Sequence, residues 1–407
     1  MGIRWIRRLF HPGWERTVIF TGVSQFFSIM GFAFALPFAP YYMQNLGVTD
    51  PARLKLMVAL FGAATPLSLA VFSPIWGYLA DRYGRRMMLL RANFAGVIVL
   101  CLMGSVRSVE ALIVLRLFQG MFTGTITAAQ TMVSVHTPSH RNGQAMGLLT
   151  AAIFSGSLIG AFAGGLFADW LGYRAAFLAG GGLLLIGALL VLVGTEEHVP
   201  LMAGAGQAPS WRRGAFEGAG AILLLVGALS VARQFDVSFL PLLVQDIHGG
   251  LAGAATRTGI LNGVGGIAGL LAGPLLGGWA DRAPPSKVAR ICALGAALFM
   301  IPQALVGSFA ALLPLRFAMV FFTGGVDPIM QIWLAKVTPA HRRGFIFGWA
   351  GAARSIGWFM APLGSGWIAA HFGLRAIFVA GGLVFLALIP VIGMFRARPD
   401  DGEPAGS

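Results

Sequence analysis

Charge is what this sequence has least of. Only 11% of its 407 residues are Asp, Glu, Lys or Arg, where a soluble protein carries about 25%. Without those groups most of the surface cannot face water. A hydrophobic content of 57% and a mean hydropathy of +0.78 set it against lipid instead. This overrides the two or three soluble domains that length alone would suggest. Cysteine is nearly absent. Cys101 and Cys292 both fall in apolar runs, with no metal-ligand spacing and no disulfide framework, and read as ordinary buried small residues. No Asn-X-Ser/Thr sequon occurs, so nothing suggests a glycosylated surface. No Gly-Lys-Ser/Thr phosphate loop occurs either, which argues against an ATP-driven pump. His136, His140, His341 and His371 lie between apolar runs, none paired at metal spacing. Neither a catalytic constellation, a cofactor nor a metal is expected.

Two things are abundant. The 57 glycines suit membrane helices, where small residues let backbones approach closely. The net charge of +14 sits in short loops between apolar runs, with no basic block interleaved with aromatics, so a nucleic-acid partner is not expected. The stretch Met1–Arg16 is basic and amphipathic. No small-residue cleavage site follows a short apolar core, so it reads as a cytoplasmic lead-in.

A hydrocarbon core of about 30 Å takes about 20 apolar helical residues. Twelve runs qualify: 17–43, 56–79, 88–105, 109–133, 144–168, 173–195, 218–243, 257–279, 288–307, 310–334, 344–369 and 374–394. They are continuously apolar, which excludes the alternation of a barrel, and helices satisfy their own backbones in lipid. With the N-terminus inside, the cytoplasmic segments hold nineteen Lys and Arg and the outer loops six; Arg116, Arg233, Arg316 and Arg354 lie within spans. That imbalance predicts both termini in the cytoplasm.

The chain also repeats itself at a shift of 200–201 residues. Ala80-Asp81-Arg82 recurs as Ala280-Asp281-Arg282, Leu115-Arg116 as Leu315-Arg316, and Phe122-Thr123-Gly124 as Phe322-Thr323-Gly324. The stretch from Gly172 to Gly181 recurs as Gly373 to Gly382. The expected organisation is therefore a six-helix bundle over 1–195, a cytoplasmic linker over 196–217, a second six-helix bundle over 218–394 and a tail over 395–407. Two such halves related by an axis along the membrane normal are a transporter architecture, with the site at the midplane.

Residues 77–86 read G-Y-L-A-D-R-Y-G-R-R, in a short charged loop between spans two and three. This resembles the signature loop of the major facilitator superfamily, G-x-L-A-D-R-x-G-R-R, at every specified position. The copy at 277–282 keeps G-G-W-A-D-R and loses the rest. Arg116-Leu-Phe-Gln119-Gly120 looks like the family's R-x-x-Q-G element in span four. Leu36-Pro37 through Tyr42, Leu46-Gly47-Val48-Thr49, Ser73-Pro74-Ile-Trp76-Gly77 and Met88-Leu89-Leu90-Arg91 are similar to the twelve-span drug:proton antiporter branch, in particular its MdtG-type exporters. The resemblance covers nearly the whole chain. It implies a twelve-helix fold in a bacterial inner membrane and proton-coupled efflux of lipophilic or cationic compounds, with a small-molecule substrate and the proton as partners. The protein is expected to act as a monomer. One element departs from the branch. Gly156, Gly160, Gly164 and Gly165 stand in span five, but Ala161 takes the place of the expected proline, which leaves the direction of transport open.

The resemblance makes Gly77, Asp81, Arg82, Gly84, Arg85 and Arg86 a conformational latch, with Arg116 as a further member. A carboxylate at a helix end can accept from a facing helix N-terminus and pair with Arg. The alternative is a turn with topogenic charge. Arg316 mirrors Arg116; an intramembrane charge faces the interior and has a use, or snorkels to the interface. Asp236 lies three residues after Arg233, on one helical face, and is expected to pair with it. Asp327 stands beside Pro328 with no such neighbour and is the expected proton-coupling group, with Arg354 as counter-ion and Asp236 as rival. Gln25, Phe32, Gln130, Gln331 and Trp358 are expected to line the substrate cavity. Export of a sugar or other polar metabolite, or a non-transporting sensor, remain the other readings.

Overall fold

The structure is a computed structural model that describes residues 13–138, 141–196, 219–338 and 343–394; the side chains of Asp81, Arg343, Gly344 and Phe345 are outside the description. The linker beyond Glu196 and the tail at 395–407 fall outside it, as do His140 and His341 and most of the lead-in. The described residues are helical, with no strand among them.

Among the described residues ten segments are long and apolar enough to cross a membrane: Trp14–Asn45, Pro51–Ala80, Arg85–Ser105, Val109–His136, Asn142–Leu171, Tyr173–Gly194, Ala254–Arg282, Pro285–Ala304, Phe309–Val337 and Ala376–Met394. The other two expected spans differ for local reasons. The seventh is two short helices, Gly220–Gln234 and Leu240–His248. The eleventh is the 30-residue helix Arg343–Phe372, diluted by Arg354, by Trp349, Trp358 and Trp367, and by small residues.

In chain order the helices are α1 (Trp14–Ala35), α2 (Ala39–Asn45), α3 (Pro51–Tyr83), α4 (Arg85–Ser105), α5 (Val109–Phe122), α6 (Thr125–His136), α7 (Asn142–Leu171), α8 (Tyr173–Gly194), α9 (Gly220–Gln234), α10 (Leu240–His248), α11 (Ala254–Arg282), α12 (Pro285–Met300), α13 (Phe309–Gly324), α14 (Val326–Val337), α15 (Arg343–Phe372) and α16 (Ala376–Met394).

The duplication governs where helices start and break. Ser108 caps α5 by accepting from Ala111 N at 3.3 Å, and its mate Ser308 caps α13 through Ala311 N at 3.3 Å. Span one breaks after Ala35, where Pro37 and Pro40 supply no N–H, and span seven breaks after Gln234. Span four breaks at Gly124, whose φ of 138° excludes most side chains, and span ten breaks at Gly325. Gly84, at φ 95°, ends α3 and starts α4 at once, so the glycine of the 77–86 loop is required by its backbone.

Contacts divide the chain into two units, one of Met1–Ala208 with Ser238–Gly266 and the other of Pro209–Val237 with Ile267–Ser407. The division at Ala208–Pro209 falls within the expected linker over 196–217, while residues 238–266 of the second half group with the first. Residues 238–266 are tied to the first half by polar contacts. Tyr41 Oη donates to Pro241 O at 2.5 Å and shares a hydrogen bond with Thr258 Oγ1 at 2.7 Å. Asp169 Oδ2 accepts from Thr256 N at 2.7 Å and Thr256 Oγ1 at 2.6 Å, capping the first turn of α11.

In the first unit α1 packs along α7 and α8, α4 along α8, and α3 along α5. Gly156, Gly160 and Gly164 of α7 meet the α1 backbone at Phe26, Met30 and Phe34 so closely that any Cβ would collide. Gly165 does the same against Ala255 of α11. This is small-residue packing of membrane helices, and it accounts for the span-five glycines without reference to the missing proline. In the second unit α9 packs along α15 and α12 along α13 and α16, repeating the partnerships of spans one with five and three with six.

Candidate functional site

Five charged residues of the second unit form two ion-pair groups, each with its acid at a helix end. Arg233 lies in the last turn of α9 and Asp327 in the first turn of α14, each on the favourable side of its helix dipole. Arg233 Nη1 donates to Asp327 Oδ2. Arg354 of α15 places its Nε 3.6 Å from the other oxygen, Oδ1, an ion pair without a hydrogen bond. One carboxylate is therefore shared between two guanidiniums on two further helices. The Asp327 side chain is 29% exposed.

The second pair joins Asp236, just beyond α9, to Arg316 of α13, with Arg316 Nη1 donating to Asp236 Oδ2. Asp236 is fully buried and Arg316 nearly so. The second oxygen of Asp236 has no hydrogen-bond partner among the described residues. Asp236 is thus paired across the bundle with Arg316 and not with Arg233, and Arg316 is turned inward instead of snorkelling. The helix breaks after Gln234, so a spacing of three residues does not place Arg233 and Asp236 on one helical face. A sealed pair of this kind is poorly suited to exchanging protons.

In the first unit the loop residues and Arg116 lie far apart. Arg116 Nη1 donates to Gln119 Oε1, and its guanidinium sits 4.7 Å from the centre of the Phe61 ring. Phe61 and Gly77 are sixteen residues apart on α3, about 24 Å at 1.5 Å per residue. The structure therefore does not bring Arg116 to the loop. Arg86 Nη2 donates to Leu192 O at 2.7 Å, at the end of α8, and Arg16 Nη2 to Val193 O at 2.9 Å beside it. These cations satisfy carbonyls that the helix end leaves free. Arg82 stacks near Tyr83. Asp81 lies in α3, and its side chain is outside the description.

The expected cavity residues are dispersed. Gln25 is fully buried and neither atom of its amide has a hydrogen-bond partner. Phe32 packs over Gly96. Gln130 and its repeat mate Gln331 are exposed, and Trp358 is half-buried. No hydrogen bond joins these residues among those described.

Sequence reasoning missed Arg233 as the first partner of Asp327. The signal was available in part: both residues stand next to breaks that recur at the repeat shift. At a shift of 200 residues the mates of Arg233, Asp327 and Arg354 are Ala33, Thr127 and Phe154. The charged group therefore belongs to the second half alone.

A duplicated, multi-pass helical protein with charged groups at broken helices inside its spans has the make-up of a membrane transporter. The sequence profile of the Major Facilitator Superfamily matches residues 21–301 and 223–407. The chain is 30% identical over 397 residues to a multidrug resistance protein MdtG of Klebsiella pneumoniae, covering 96% of each, and 31% identical over 398 residues to that of Salmonella paratyphi B, covering 95% and 97%. A D-xylose–proton symporter superposes with a TM-score of 0.76 at 18% identity, covering 95% of this chain and 99% of that one. The nucleoside transporter NupG gives 0.76 at 14% identity, covering 94% and 100%. The chain belongs to the major facilitator superfamily and is a secondary transporter.

Proposed function

We propose that the protein exports lipophilic, drug-like compounds in exchange for protons, by alternating access, as a monomer in a bacterial inner membrane. The reading rests on one observation, the Asp327 carboxylate shared by Arg233 and Arg354. Ionised, Asp327 draws α9, α14 and α15 together; protonated, it releases both guanidiniums. A proton can thus be exchanged for a change in helix contacts. Because two arginines already match the carboxylate, a cationic drug would have to displace one of them, and uncharged lipophilic compounds fit this site better. A neutral drug exchanged for one proton draws on the membrane potential, about 2.3 kcal/mol per 100 mV. It also draws on the pH gradient, about 1.4 kcal/mol per unit. The MdtG relatives are named for multidrug resistance, which agrees with this substrate class. The nineteen cytoplasmic Lys and Arg against six outside support both termini in the cytoplasm.

The test is drug-induced proton release from the solubilised protein, together with uptake into proteoliposomes under a pH gradient. Wild type should release protons on adding drug and accumulate it. Asp327→Asn should do neither, and Asp236→Asn should still release protons. If Asp327→Asn releases protons and transports against a gradient, the coupling group lies elsewhere.

A further inference from the structure

We infer that the first unit carries a site for an oxyanion, the phosphate or carboxylate of a lipid head group or of a free solute, between α3, α4 and the α5–α6 break, with Arg91 as its principal ligand. The site owes nothing to Asp327 and stands whether or not the protein exports drugs.

A cavity of about 80 Å³ lies among α3, α4, the break at Thr123-Gly124 and α6, lined by Ser73, Trp76, Arg85, Arg91, Thr127 and Thr131 among others. It is large enough for a head group or several waters, which need about 10–15 Å³ each on this measure. Its geometry follows from the break at Thr123-Gly124. The break leaves Met121 O without its helical donor, and the Trp76 indole N–H fills that role at 2.6 Å. Pinned in this way, the Trp76 ring presents its face to Arg91, whose guanidinium carbon lies 3.3 Å from the ring centre. A cation held on a ring face is fixed in place without being neutralised.

Arg91 is also short of partners. Its Nε and Nη1 are buried, and among the described residues neither has a hydrogen bond and no carboxylate pairs with Arg91. A guanidinium carries five N–H donors in a planar fork that matches two oxygens of one anion. Leaving buried donors unpaired is unfavourable, so a ligand that fills them is favoured. Arg91 lies six residues into α4, about 9 Å from its start at 1.5 Å per residue. With the start of α4 taken as the bilayer surface, that is close to the depth where head groups meet acyl chains, roughly 5–7 Å. A phosphate of the adjoining leaflet can therefore reach it, and so can a small soluble anion.

The other explanation of Arg91 is topogenic charge, which needs a cation but no fork. The experiment separates them. Full-length protein is assayed for thermal unfolding in detergent with increasing inorganic phosphate at constant ionic strength, and in nanodiscs of phosphatidylcholine with or without phosphatidylglycerol. The variants are Arg91→Gln and Arg91→Lys. Wild type should be stabilised by at least one ligand, and Arg91→Gln should bind it at least tenfold more weakly. If Arg91→Gln does not fold, Arg91→Lys keeps the charge and should show the same loss. Stabilisation by phosphate in detergent assigns the site to a soluble anion; stabilisation by phosphatidylglycerol alone assigns it to lipid. The inference is overturned if neither ligand stabilises wild type, or if Arg91→Lys binds as tightly as wild type.

Discussion

Gln44 and Gln245 hydrogen-bond to each other through both of their amides, Nε2 to Oε1 at 2.8 Å in one direction and 2.9 Å in the other. They stand 201 residues apart, which is the repeat shift itself. A side chain that binds its own repeat mate marks where the two copies of the duplicated sequence meet within the first unit. Tyr41 with Thr258 and Asp169 with Thr256 tie the same copies together nearby.

Gln44→Ala should leave the Gln245 amide without its partner, and Gln245→Ala the reverse. Each single change is expected to destabilise by about 1 kcal/mol, and the double change by clearly less than their sum. A double-mutant cycle on unfolding in detergent measures the coupling. Strict additivity would mean that the pair contributes no joint energy.

Arg316→Met should be among the more damaging single substitutions in the second unit. It strands the fully buried Asp236 carboxylate, at an expected cost of about 3–5 kcal/mol. Combining it with Asp236→Leu removes the stranded charge and should recover most of that loss. Expression of folded protein and its unfolding midpoint report both steps. A double variant no better than Arg316→Met would argue that the pair acts on more than charge balance.

Gly160→Leu should disrupt the α1–α7 contact, because its Cβ would run into the Met30 backbone. Overpacking of this kind costs about 1–3 kcal/mol. Gly182→Leu is the matched control, since nothing lies within 4 Å of a Cβ there. Similar midpoints for the two variants would contradict the close helix packing.

Asp81→Asn should insert and fold normally yet lose transport. The motivation is the full match of residues 77–86 to the signature loop of the family. Transport is measured together with the reactivity of introduced cysteines from each side of the membrane. Normal turnover with unchanged accessibility would remove the latch role from this residue.

Much of this protein could be read directly from its sequence because a membrane simplifies the problem. A segment in lipid must be apolar for about 20 residues and must satisfy its own backbone, so most spans were visible as runs of composition. The repeat was visible too, because Ala80-Asp81-Arg82 and Gly172 to Gly181 kept their identities. The sequence by itself thus determined the fold class, the duplication and the family. Only the tertiary structure decided which charges meet. Arg233 precedes Asp236 by three residues, but the break after Gln234 sends one to Asp327 and the other to Arg316. Pairing of this kind is a property of helices far apart in sequence, and no local spacing encodes it. The same holds for Arg91, which looked like one more positive charge near a loop. Only the packing showed that its guanidinium lies on the Trp76 ring and that its Nε and Nη1 have no hydrogen-bond partner among the described residues.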